Sequence, residues 1–170
     1  MKDKKIHNGM TLLELLIVIA ILVIMVSMVF IATRGGWVDA NTRITRSTML
    51  VIDGALEDYK ENNTNGLIFP DPNYPPLLSV GFTQSWVLHS AALYAQLNTL
   101  PESRKALERL DKSQVDLDKE FGIGKYSVFY DAWGTVLDYR YQAGMNFPLI
   151  VSAGPDKNFN TLEDNITNRK

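Results

Sequence analysis

From Leu15 to Ala32 the chain runs through eighteen residues in which Ser27 is the only side chain more polar than methionine. A helix of that length spans about 27 Å at 1.5 Å per residue and is apolar all round, as a segment in lipid or in the core of an assembly must be. The eight residues in front, MKDKKIHN, set Lys2, Lys4 and Lys5 against Asp3, the flank expected on the cytoplasmic side of a membrane segment. Beyond Ala32 the pattern loosens at ATRGGWVDANTR. Gly35 and Gly36 cost a helix roughly 1 kcal/mol each relative to alanine, so they mark either a bend or melting point or a break between anchor and domain. Helical spacing resumes at Ile44, Ser47, Thr48, Val51, Ile52, Ala55, Leu56 and Tyr59, an amphipathic face that predicts packing on a globular part.

A loop follows, crowded with Gly66, Pro70, Pro72, Pro75 and Pro76. Two further helices are predicted, over Trp86 to Asn98 and over Pro101 to Leu110, the second with proline at its start and Glu102 in its first turn. Aromatic and β-branched residues predict strands over Tyr126 to Tyr130, Thr135 to Tyr141 and Phe147 to Ser152. The fold class is therefore α+β, a long N-terminal helix packed on a small C-terminal antiparallel sheet with short additional helices.

Composition narrows the function. In 170 residues, 17 Lys and Arg face 19 Asp and Glu, a net charge of -2 that offers no footprint for nucleic acid. With no cysteine there is neither a disulfide nor a thiolate site, so an extracytoplasmic domain must be held by its core or by an ion. His7 and His89 are the only histidines, and His89 reads as a packed or surface-facing residue of a helix. No Ser, His and Asp grouping and no glycine-rich phosphate loop emerges, so no enzyme is expected. The charge run DKSQVDLDKE, Asp111 to Glu120, reads as a solvated loop.

One residue conflicts with a plain signal anchor. Glu14 stands at the entrance to the apolar run, and a carboxylate in hydrocarbon is costly unless neutralised or paired. No Lys, Arg or His occurs between His7 and Arg34, so the segment supplies no partner. The stretch GMTLLE, Gly9 through Glu14, followed by the apolar run, resembles the class III signal of type IV prepilins and type II secretion pseudopilins. That resemblance implies cleavage after Gly9 by a membrane-embedded prepilin peptidase and methylation of the new amine at Met10, which replaces the commoner phenylalanine. It implies that residues 1–9 are a leader, residues 10–36 a transmembrane and filament-core helix, and residues 37–170 a periplasmic head. Glu14 would then neutralise the amine of a neighbouring subunit, while Leu12, Leu13 and the residues after them serve first as anchor and then as filament core.

Two further stretches carry the resemblance. ALEDYKENN, Ala55 to Asn63, resembles the end of the long pilin helix and implies a helix from about Met10 to Asn62. DAWGTVLDYRY, Asp131 to Tyr141, resembles the DPWGxxYxY segment of the pseudopilin G family, with Ala132 in place of proline. FPLIVSAGPDKNFNTLEDNI, Phe147 to Ile166, resembles the calcium loop of the same subunits and implies Ser152, Asp156, Asp164 and Asn165 as ligands, in a loop shorter than usual and carrying Lys157. Calcium there would stiffen the last loop; the alternative is a polar turn in which Asp156 caps its own backbone. Trp133 reads as a core aromatic under this loop, and Trp86, Tyr74 and Phe82 as core or as an exposed contact patch.

The resulting expectation is a structural subunit of a helical filament, nearest the major pseudopilin of a type II secretion system, with a type IV pilin or a non-polymerising membrane-anchored binding protein as alternatives. The implied partners are other copies of the chain, minor pseudopilins or pilins, the prepilin peptidase, and an inner-membrane assembly platform with its ATPase. The implied location is a single pass through the inner membrane, with the assembled filament in the periplasm or on the cell surface.

Overall fold

The computed structural model describes residues 11–63, 69–72, 85–121, 125–142 and 144–169, with the backbone alone at residues 31–35. Tyr74, Pro75, Pro76 and Phe82 lie outside the described residues. The chain forms two compact units, Met1–Asp39 and Ala40–Lys170, and helix α1, Leu12–Asn62, contributes to both. Gly35 and Gly36 lie within α1, so they are not a break between elements. Their combined cost of roughly 2 kcal/mol is small beside the cooperative hydrogen-bond ladder of so long a helix.

In the second unit, α1 buries Thr45, Thr48, Met49, Ile52, Ala55, Leu56 and Tyr59. This face matches the sequence expectation at Thr48, Ile52, Ala55, Leu56 and Tyr59 and departs from it at its start, where Ile44 is 44% exposed, Ser47 is exposed and Thr45 is buried instead. Hydrogen bonds admit the two threonines. Thr45 Oγ1 accepts the Ala132 N–H at 3.1 Å, and the Thr48 hydroxyl donates to the Ile44 carbonyl at 3.1 Å, so both enter the interior with their polar atoms satisfied.

Helix α2, Ser85–Leu97, buries most of its length, including Val87, Leu88, Ala91, Ala92, Leu93 and Leu97. Its Gln96 amide accepts from Asp71 N at 3.0 Å and donates to Asp71 O at 2.8 Å, tying the described part of the proline loop to the helix. Helix α3, Pro101–Leu107, stops short of the expected Leu110 because Arg109 and Leu110 donate to carbonyls only three residues back, tightening the last turn.

Among the described residues five strands follow: β1 Val115–Glu120, β2 Lys125–Phe129, β3 Asp138–Arg140, β4 Leu149–Ser152 and β5 Ile166–Thr167. They form two antiparallel sheets, β1-β2 and β3-β4-β5, linked by a bridge between Tyr130 and Val136. β1 corrects the reading of Asp111 to Glu120 as a loop. Its outer residues are solvated, yet Val115 pairs with Phe129 and Asp116 with Val128 before a bulge at Asp118 (φ 55°) shifts the register to Lys119 and Tyr126.

Met49, Ile52, Leu56 and Tyr59 from α1 meet Leu93 and Leu97 from α2, Phe129, Tyr139 and Ile150 from the strands, and Leu137 just before β3 in one core. Each large side chain buried there contributes about 1.5–3 kcal/mol. The Tyr139 hydroxyl inside it donates to Pro70 O at 2.8 Å. Trp133 is not part of this core; it is half-buried at the turn between β2 and β3, because the backbone reverses at Asp131–Gly134. Trp86 is half-buried too and packs on Phe159 with ring centroids 5.2 Å apart.

After β5 the chain is clasped. Asn168 Nδ2 donates to Asp53 Oδ1 on α1 at 2.7 Å, its Oδ1 accepts the Ile150 N–H at 2.9 Å, and Arg169 lies 4.0 Å from Asp53 and 3.9 Å over the Phe147 ring. A long N-terminal helix, short helices and small antiparallel sheets make this the expected pilin-like α+β fold.

Candidate functional site

The C-terminal loop begins where β4 ends. Ser152 is buried; its hydroxyl donates to Asp131 Oδ2 at 2.7 Å and accepts the Gly154 N–H at 3.1 Å. Asp131 Oδ1 accepts the N–H groups of Trp133 at 3.0 Å and Thr135 at 2.8 Å, and Gly134 (φ 76°) closes the turn by donating to Asp131 O. Burial raises the Asp131 carboxyl above its ordinary pKa, against the lowering effect of these bonds. Asp131, 21 residues from Ser152, is thus the joint between the β2–β3 turn and the loop.

Further along, Asp156 is exposed and accepts the Asn158 N–H at 2.9 Å, and Asn158 Oδ1 accepts the Asn160 N–H at 3.1 Å. Gly154 (φ 69°) lets the loop close on itself, since a Cβ there would fall 2.2 Å from the Asp164 carbonyl oxygen. Asn165 Nδ2 donates to Phe159 O at 3.0 Å, while Asn165 Oδ1 is buried without a hydrogen-bond partner. That unused hard oxygen, next to the Asp164 carboxylate in sequence, suits a hard cation; the Ser152 hydroxyl is already engaged on both sides. Among the described residues no three His, Cys, Asp or Glu side chains converge as a metal group.

His89 proves more connected than its sequence context suggests. Its Nδ1 lies 2.8 Å from Oδ1 of the buried Asp138, whose Oδ2 accepts from Arg140 Nε at 2.6 Å. The carboxylate of β3 is thereby partnered from α2 and from its own strand, so it is not left buried and unpaired.

At the other end of the chain, Thr11 opens α1. Its Oγ1 accepts the Glu14 N–H at 3.2 Å, and its carbonyl accepts from Leu15 N at 3.1 Å. Thr11 is therefore the N-cap and Glu14 the third helical residue, in the first turn where a negative charge is favoured. The signal for this was present as T-x-x-E, a capping-box pattern that the sequence reading passed over. Gly9 and Met10 lie outside the described residues. From Leu12 to Phe30 no side chain is buried; Leu12 is 83% exposed and Leu13 69%. The Ser27 hydroxyl donates to the Val23 carbonyl at 2.7 Å, leaving the run without an open polar group on its side chains after Glu14. So long an apolar surface must be covered by lipid or by protein.

Residues 4–30 match the Prokaryotic N-terminal methylation motif. The match covers Lys4 and Lys5 of the leader, Gly9, Met10, the Thr11 cap, Glu14 and the apolar run to Phe30. No curated protein and no solved structure matches the chain. The methylation motif and the exposed apolar helix thus coincide, whereas the C-terminal loop lies outside the motif.

Proposed function

We infer that the chain is a structural subunit of a helical filament of the pilin and pseudopilin type, and specifically the major pseudopilin of a type II secretion system. The observation that carries this reading is the methylation motif over residues 4–30, falling on the part of α1, Leu12 to Phe30, where no apolar side chain is buried and whose first turn holds Glu14. Prepilin peptidase cuts after Gly9 and the amine of Met10 is methylated, keeping its charge. The helix then anchors residues 10–36 in the inner membrane until the assembly platform and its ATPase move the subunit into the filament. There the Glu14 carboxylate pairs with the Met10 amine of a neighbouring copy. An ion pair in low dielectric is expensive to leave half made, so it fixes register more than it adds net stability.

The choice of pseudopilin rests on the resemblance of the Asp131–Gly134 turn and the loop after Ser152 to the pseudopilin G pattern. In that loop Asp156, Asp164 and Asn165 would hold calcium together with backbone carbonyls, and the ion would supply positive charge that locks the loop. Ser152 supports the loop through Asp131. The head lies in the periplasm, and minor pseudopilins join the same filament.

Intact-mass analysis of membrane-extracted protein tests the processing step: the expected species begins at Met10 and carries one additional methyl group. A mature chain still beginning at Met1 would instead favour a non-polymerising membrane-anchored protein. Replacing Gly9 with a bulky residue should block the cut. Glu14→Ala should enter the membrane and be cleaved normally while failing to build filaments, and normal filament number and length in that variant would sink the pairing mechanism.

A further inference from the structure

We propose that Trp37 is the second anchor of α1, seated in the headgroup layer of the leaflet opposite the basic leader, where it sets how deeply the helix sits; this rests on the membrane-anchor reading above. The argument begins with a length. Between Glu14 and Arg34 the sequence contains no ionisable group, and those twenty residue steps (34 minus 14) span about 30 Å of helix, the hydrocarbon thickness of a typical bilayer. The two charges therefore fall at the two boundaries. Trp37 follows three residues later, about 4.5 Å further along the axis and within the polar layer.

Exposure supplies the second part. Trp37 is 74% exposed, whereas Trp86 and Trp133 are half-buried in the other unit. A single exposed leucine needs no explanation, but tryptophan is the side chain that gains most from a layer apolar on one side and wet on the other. Its ring is buried among chain carbonyls while its N–H finds an acceptor. Val38 beside it is 42% exposed and adds apolar surface at the same level. Thr11 and Glu14 hold the opposite end, so the helix carries a polar marker at each boundary.

The test uses the full chain and a Trp37→Phe variant in vesicles of phosphatidylcholine and phosphatidylglycerol. Subtracting the emission of the variant from that of the wild type isolates Trp37 from the other two tryptophans. The expected difference spectrum is blue-shifted from that of an indole in water. It should be quenched more strongly by lipids brominated beside the carbonyls than by lipids brominated at mid-chain. Stronger mid-chain quenching, quenching by aqueous iodide alone, or a difference spectrum that changes with protein-to-lipid ratio would each overturn the headgroup seat. Flotation separates the two levels of the argument: a chain that does not float with vesicles overturns the anchor reading, and one that floats with Trp37 in water overturns the seat alone.

Discussion

Replacing Gly154 by alanine should damage the head far more than the same change at Gly134. Both glycines occupy the left-handed region, at φ 69° and 76°, so alanine costs each about 1–2 kcal/mol in backbone strain. At Gly134 the new Cβ meets nothing within 4 Å; at Gly154 it lands 2.2 Å from the Asp164 carbonyl oxygen and 3.0 Å from its carbon. Those atoms are backbone, so relief requires the loop to shift by about 1 Å to reach ordinary contact distance. The shift strains the Gly154 N–H bond to Ser152 and the Asn165 bond to Phe159. At about 1 kcal/mol per hydrogen bond, Gly154→Ala should cost about 3–4 kcal/mol against about 1–2 for Gly134→Ala. Urea unfolding of the detergent-solubilised chain, followed by tryptophan emission, reads the difference, because Trp86 packs on Phe159 in this loop. If the loop holds calcium, the ion should raise the wild-type midpoint by mass action and leave the Gly154→Ala midpoint unmoved. Equal losses in the two variants would refute the inference that the Asp164 carbonyl closes on Gly154.

Thr11→Val removes only the hydroxyl that caps Glu14 N–H, so the first turn should lose about 1 kcal/mol, read as about fivefold faster amide exchange at Glu14. Thr11→Ser should retain the wild-type rate, and an unchanged rate in the valine variant would reject the cap. Burial raises the Asp53 carboxyl above its ordinary 3.8 despite the Asn168 bond and Arg169, with Glu57 adding to the rise. The folded chain thus binds this proton more tightly than the unfolded chain, and the Asp53 contribution weakens as pH rises from 3.8 through the raised value. Asparagine at that position still accepts from Asn168, so wild-type stability relative to Asp53→Asn should fall across that window and then level off; a difference that grows with pH would contradict the sign. Asn168→Ala leaves the Ile150 N–H without its side-chain acceptor and strips Asp53 of a donor, at a cost of about 2–4 kcal/mol in head stability by thermal unfolding.

Features with a strong local cause were readable from residues alone. The apolar run, the proline at the head of α3 and the spacing of Ile52, Ala55, Leu56 and Tyr59 led to the right elements because one-dimensional periodicity is what builds them. β1 escaped because most of its side chains face water, and only its backbone pairing with β2 makes it a strand. β5 has two residues, too few to carry a pattern. The exposed Ile44 and the buried Thr45 were interchanged because the hydrogen bond that brings Thr45 inside comes from Ala132, 87 residues away. At the candidate sites the same division holds. GMTLLE is contiguous and was legible, whereas the role of Asp131, in the β2–β3 turn, depends on Ser152 at the end of β4. Trp133 was misplaced because a hydrophobic residue reads as core until the turn beneath it is known.

The clasp between Asn168 and Asp53 joins positions 115 residues apart, and that separation has a consequence for timing. Synthesis delivers α1 before the clasp, so the second unit closes this circuit only after α2, α3 and the five described strands have emerged. Until then the apolar face from Met49 to Tyr59 waits without β4 and β5. Completion of the head is therefore a late, long-range event, and the interval before it is when the nascent subunit is most open to proteases and to premature association with its neighbours.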